Sequence, residues 1–170
     1  MAVLAILASA ALARAADPVD GRLDGQFRMH GTVTRAQHVR GEHEGQTVKR
    51  NWEFTSKCTA GPCDSVVLHR HRSAKKVDRL VLDRDGPGEY SGKGKFFFPI
   101  RCAGRVHKHG GEARVKIAVK VTSATLVDGQ LVADEISAKY SNPKRINHTQ
   151  CTHGSLGHDG ASYTGKRQSG

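Results

Sequence analysis

The stretch ARVKIAVKVTSATLV-DG-QLVADEISAKY, residues 113–140, reads as a β-hairpin and decides the fold. On its first arm Val115, Ile117, Val119 and Val121 alternate with Lys116, Ala118, Lys120 and Thr122. On its second arm Val132, Ile136, Ala138 and Tyr140 alternate with Ala133, Glu135, Ser137 and Lys139. A period of two is the mark of a strand with one buried face. Asp128-Gly129 is a strong two-residue turn signal, because a type I′ turn needs positive φ at both central positions. Closing the turn there sets Val121 against Ile136, Val119 against Ala138 and Ile117 against Tyr140. A slip by one residue would send the two apolar sets to opposite faces.

Working outward, almost every segment after residue 24 reads as a strand followed by a turn. Phe27, Met29, Gly31 and Val33 share one side of 26–34, and Val48, Trp52 and Phe54 share one side of 46–58. Shorter apolar runs cover 64–71 and 77–83. A turn at 85–88 precedes 89–99, where Tyr90, Phe96 and Phe98 are in phase, and 161–166 closes the chain. Residues 142–147 and 151–159 read as loops. No window after the leader carries a 3.6-residue apolar period of helix length. The fold class is therefore all-β, an antiparallel meander of about eight strands. Closure into a β-barrel would remove the exposed edges, with a two-sheet sandwich as the alternative.

Residues 1–15 are nearly all apolar and end in Ala13-Arg14-Ala15, the pattern of a signal-peptide core and cleavage site. They lack the usual basic n-region, as a chain that starts late or is truncated would. The organisation expected is a signal peptide over 1–15, a flexible N-terminus over 16–24 and a single β-domain over 25–167, in a secreted, extracellular protein. Four cysteines in an exported chain imply two disulfides. Cys58 and Cys63 flank a turn and can meet locally, which leaves Cys102 for Cys151. The spacing lacks the paired C-x2-C knuckles of a thiolate zinc site.

The chain carries 27 Lys and Arg against 16 Asp and Glu. Losing Arg14 with the leader leaves 26 against 16, a net +10. Such a surface can hold anionic envelope polymers or nucleic acid. Most of the basic residues alternate with apolar ones (Arg70, Arg72, Lys93, Lys95, Lys116, Lys120, Lys139), as they do on a solvated outer face. The two H-x-H pairs, His69 with His71 and His107 with His109, could each chelate an ion from one face of a strand, with His30 or His153 as third ligand. The intervening Arg70, Arg72 and Lys108 oppose a cation, so no metal and no cofactor is expected. No nucleophile elbow, catalytic dyad or phosphate-binding loop is present, and Asp134 and Glu135 point to opposite faces of a strand. Catalysis is therefore not expected.

The run Trp52-x-Phe54, Cys58-x4-Cys63, Tyr90-x-Gly92, Cys102-x-Gly104, the hairpin, Cys151 and Tyr163-x-Gly165 resembles small exported all-β, disulfide-paired proteins of high-GC Gram-positive bacteria. That group implies no activity and no functional residue. The outline is also similar to lipocalin-like barrels, although Gly-x-Trp on the first strand is absent. The reading is a non-catalytic binding module. A small apolar ligand would be lined by Phe27, Trp52, Phe54, Tyr90, Phe96, Ile117, Val119, Ile136 and Tyr140. Adhesion of the basic surface to anionic polymers is the other expectation.

Overall fold

The computed structural model describes residues 20–39, 41–73, 76–151 and 156–168; the leader expected over 1–15 lies outside them. Eight strands follow one another around a single sheet: β1 (Gly25–Gln37), β2 (Thr47–Ser56), β3 (Ser65–Ser73), β4 (Lys76–Gly86), β5 (Glu89–Cys102), β6 (Arg105–Val127), β7 (Gln130–Asn147) and β8 (His158–Arg167). Each pairs antiparallel with its sequence neighbour, and β1 pairs with β8, so the sheet closes into a barrel. Closure satisfies the edges that an open meander of this length would leave unpaired. The ring is weakest between β4 and β5, where the ladder is reduced to Asp83–Ser91, Arg84–Tyr90 and Gly86–Glu89.

The hairpin of β6 and β7 has the register its sequence dictates. Val121 pairs with Ile136, Val119 with Ala138 and Ile117 with Tyr140. Asp128 and Gly129 have φ of 48° and 78°, as a type I′ turn requires. Irregularities at Thr122–Ser123 on β6 and Asp134 on β7 compensate each other. Between them and the turn the inward phase is reversed. Ala133, on the polar face by simple alternation, is consequently in the core, and Ala124 packs against it.

Inward side chains from all strands fill the half of the barrel nearest this turn. Phe27 meets Phe54 edge-on at 5.5 Å, and Trp52 lies 6.3 Å from Phe54 and 5.3 Å from Tyr163. Leu23, Met29, Leu68, Leu82, Ile117, Val121 and Ile136 complete a core with almost no exposed surface. The packed unit starts ahead of residue 25. Arg22 forms a parallel bridge to Val132, donating its N–H to the Leu131 carbonyl at 2.8 Å and accepting from the Ala133 N–H at 2.9 Å. Gly21 is required at this close approach, since a Cβ there would lie 2.6 Å from that of Ala124. The Cys58–Cys63 loop lies at the same end, with Cys63 in the core.

Strand reaches into both segments expected to be loops. β7 continues through 142–147, because β6 begins at Arg105 and gives it a partner. Pro143, which has no N–H to donate, falls where the register shifts between Arg114 and Lys116 on β6. Asp159, placed in a loop by its polarity, belongs to β8. At the end opposite the Asp128 turn, the β5–β6 hairpin projects past its neighbours and turns at Ala103–Gly104. Cys102–Cys151 ties it to the segment after β7, so both disulfides pair as the sequence indicates.

Candidate functional site

At the end away from the packed base, the barrel opens into a cup of about 410 Å³. The phase of each strand determines what faces it. On β3, Val66 and Leu68 point inward at the base, so Arg70 and Arg72 point inward above them. By the same alternation Arg50 precedes Trp52 on β2, Asp78 precedes Leu80 on β4, and Asp159 precedes Ala161 and Tyr163 on β8. Arg70 and Arg72 are therefore not on the solvated outer face that their spacing suggested. Arg70 is only 5% exposed and lies across the lumen as the floor of the cup.

Ion pairs and aromatic faces hold this charge. Arg70 donates to Asp78 Oδ2 from Nη2 at 2.8 Å and from Nε at 3.2 Å. Its guanidinium lies 4.5 Å from the Tyr140 ring centroid and 5.6 Å from that of Phe96. Arg72 Nε is 2.8 Å from the same Asp78 oxygen but off the line of its N–H, so the contact is a charge pair rather than a hydrogen bond. Arg72 also covers Phe96 at 4.0 Å. Across the cup, Asp159 Oδ1 accepts from Arg145 Nη2 and from Asn142 Nδ2, each at 2.7 Å, and Arg145 lies 5.4 Å from the Phe98 ring. Val33, Val39, Val48 and Ala161 supply apolar wall.

Charge in the cup is unbalanced. Arg50, Arg70, Arg72, Lys76 and Arg145 line it, against Glu42 and Asp159, with Asp78 at the floor. Five cations and three carboxylates leave +2. Burial and then the neighbouring Asp159 push the Glu42 carboxyl above its ordinary range, against the pull of Arg145, Arg50 and Arg70. Burial likewise pushes the Tyr140 and Tyr163 phenols up, so both remain neutral donors at physiological pH. Among the described residues, the buried atoms Trp52 Nε1, Arg72 Nε, Asn142 Oδ1 and Arg145 Nε have no hydrogen-bond partner.

Of the nine residues expected to line a ligand site, Phe96 and Tyr140 face the cup. Phe27, Trp52, Phe54, Tyr90, Ile117, Val119 and Ile136 pack against one another in the filled base. The lining that sequence reasoning missed is the charged part, and its signal was phase: a charge two or four residues from a core position on the same strand shares its face. A larger concavity of about 760 Å³ lies outside the barrel over β1, β8 and β7. It is lined by Arg28, Lys166 and Arg167 with Glu135, which is 3.6 Å from Lys166, and it encloses no lumen.

The histidine pairs occupy other places. His71 Nε2 lies 3.8 Å from Glu53 Oε2, and His69 is beside it on the outer face of β3. His107 Nε2 lies 3.7 Å from Cys151 Sγ, and His109 packs on Phe97 at 5.1 Å. His30 faces outward on β1, and His153 lies outside the described residues. Among the described residues, three ligating side chains converge at Cys102, His107 and Cys151, where the sulfurs are joined in a disulfide and are not thiolates. Among the described residues no helix is long and apolar enough to cross a membrane. No family model, curated protein or solved structure matches the chain.

Proposed function

We propose that this protein is an exported, disulfide-stabilised binding module that holds a small organic anion in the cup of its barrel and does no chemistry on it. The observation that carries the reading is five cations facing one enclosed space against three carboxylates. A low-dielectric wall strengthens such a field over its value in water. Phe96, Phe98 and Tyr140 offer flat apolar surface beside the guanidiniums, which suits an anionic group joined to an aromatic or aliphatic body rather than a bare ion. This revises the expected apolar ligand: the apolar residues of the lumen are largely consumed by packing, and the open part is charged.

Two features support this reading. Asp78 and Asp159 are engaged by arginines, and the phenols of Tyr140 and Tyr163 are held neutral, so none of these four is a free base or nucleophile. The two disulfides suit an oxidising compartment, as does the apolar leader over residues 1–15.

Two fluorescent probes of one shape separate the charged cup from an apolar one. Anilinonaphthalene sulfonate carries a fixed anion, and N-phenylnaphthylamine is the same body without it. The sulfonate is expected to bind saturably, one per chain, at least tenfold more tightly than the neutral probe. Arg72→Met should weaken it. Equal binding of both probes, or binding of neither, refutes the reading.

A further inference from the structure

The outer wall of the barrel pairs opposite charges across its strands, as at Lys120 with Glu89 at 2.8 Å and Lys166 with Glu135 at 3.6 Å. Further along β5, β6 and β7, away from the Glu89 rung, it does the reverse. Register sets Lys93 opposite Lys116 and Lys95 opposite Arg114, and on its other side Arg114 faces Lys144. All five are exposed. Like charges directly opposite one another in a sheet are destabilising. Glu112 answers Arg114 at 3.0 Å but is shared with His148 at 3.3 Å. A groove of about 550 Å³ runs along these cations, with Ser141 and Pro143 on its far side.

The next outward position on β5 after Lys93 and Lys95 is Phe97, which is 40% exposed. Its ring is flanked by the imidazoles of His109 at 5.1 Å and His148 at 6.1 Å, and Lys95 Nζ lies 5.7 Å from its centroid. Phe96 and Phe98 point into the barrel, so Phe97 is the member of the three turned to solvent. An exposed aromatic at the end of a cationic ladder answered by a single carboxylate is the combination that takes an extended polyanion bearing flat bases.

We propose that the outer face of β5–β7 binds single-stranded nucleic acid, with phosphates along the Lys93–Lys116 and Lys95–Arg114 rungs and a base stacked on Phe97. Rungs two residues apart are about 6.6–6.8 Å apart along a strand, close to the step between phosphates of an extended single strand. A duplex hides its base faces and cannot use Phe97. The surface is separate from the cup, since these side chains face outward.

Fluorescence anisotropy tests it with labelled oligothymidylate, an abasic deoxyribose-phosphate strand of equal length, and vesicles containing phosphatidylglycerol. Oligothymidylate is expected to bind saturably and to weaken with salt, at roughly 0.7 in log–log slope per phosphate contacted. Combining Lys93→Gln, Lys95→Gln and Lys116→Gln should flatten that slope by about 2. Phe97→Ala should weaken oligothymidylate by about fivefold or more and leave the abasic strand unchanged. These four residues are exposed, so the variants keep the core. Equal affinity for both strands, an unchanged slope in the lysine variant, or vesicle retention at salt that releases oligothymidylate each overturns the proposal. Arg72→Met should leave oligonucleotide binding intact, so the cup and the outer face fail or stand independently.

Discussion

Replacing Asp78 by asparagine is expected to lower stability and strengthen anion binding at the same time. Asp78 is 8% exposed, and one of its oxygens serves Arg70 at 2.8 and 3.2 Å and Arg72 at 2.8 Å. Asparagine keeps the shape and one carbonyl acceptor but removes the charge. Breaking a buried pair from one side costs about 3–5 kcal/mol, because the remaining ion is left in low dielectric without its partner. Tyr140 and Phe96 still face the Arg70 guanidinium, at 4.5 and 5.6 Å, and retain about 1 kcal/mol of cation–π attraction. A net loss of about 3 kcal/mol is therefore expected. With a urea m-value of about 2 kcal/mol/M, the midpoint moves down by about 1.5 M. The same substitution takes the cup from +2 to +3, so the sulfonate probe should bind more tightly. Removing both partners together (Arg70→Met with Asp78→Leu) should recover most of the lost stability, since an apolar pair replaces a desolvated ionic one. A loss below about 1 kcal/mol for Asp78→Asn, or unchanged probe affinity, would show that Arg70 is not a buried ion dependent on Asp78.

Three further outcomes follow from the same geometry. Opening Cys102–Cys151 by Cys102→Ser with Cys151→Ser releases a loop of sequence separation 49 and should cost about 4 kcal/mol in chemical denaturation, roughly twice the loss at Cys58–Cys63; equal losses at the two bridges would contradict the loop-entropy argument. Glu42, whose carboxyl is pushed up by burial and by Asp159, binds its proton more tightly when folded than when unfolded. Its contribution is therefore destabilising above the ordinary carboxylate range, and that loss is recovered as pH falls through the raised folded value. Its protonation also removes a negative charge from the cup, so wild type and Glu42→Gln should differ in sulfonate affinity near neutral pH and converge in acid; parallel curves across that window would exclude Glu42 from the site. Lys116→Glu turns the Lys93 rung into an opposite-charge pair and should raise stability by about 0.5 kcal/mol while weakening oligonucleotide binding; reduced stability would mean the cations do not repel across the rung.

The hairpin register was legible because alternation and turn chemistry at Asp128–Gly129 agree, and a shift of one residue reverses every side chain. The base of the barrel was legible for the same reason, since Phe27, Trp52, Phe54 and Ile136 are apolar and in phase. The cup was not, because hydrophobicity was used to find the phase and then charged residues were assigned to the outside by their chemistry. Arg70 shows the error. It sits two residues from Leu68 on the same strand, so geometry sends it inward whatever its charge. The β6 extension to Arg105 was missed for another reason. Arg105, Val106, His107, Lys108 and His109 are all exposed, so no apolar period marks them as strand. The outward side of Phe97 follows from the shared phase of Tyr90, Phe96 and Phe98, but its flanking by His109 and His148 rests on pairings that no local pattern marks.

The division of the lumen into a filled base and a charged cup is itself an energetic argument for a site. An eight-stranded barrel is just wide enough for side chains to fill it, and the base does so with Phe27, Trp52 and Phe54. Continuing the same apolar pattern upward through positions 50, 70, 72, 78 and 159 would have extended that core. These positions instead hold Arg50, Arg70, Arg72, Asp78 and Asp159. A well-packed apolar replacement of a buried ion pair is often neutral or stabilising by about 1–4 kcal/mol. Stability alone therefore does not account for the arginines, whereas the proposed anion would complete their coordination. On the outside, the Lys93–Lys116 and Lys95–Arg114 rungs bear a like-charge cost that Lys120–Glu89 and Lys166–Glu135 avoid on the same sheet. Both places break a local rule in the same direction, toward excess positive charge, and each would be relieved by an anion of the size proposed for it: a small one within the cup, an extended one along the wall.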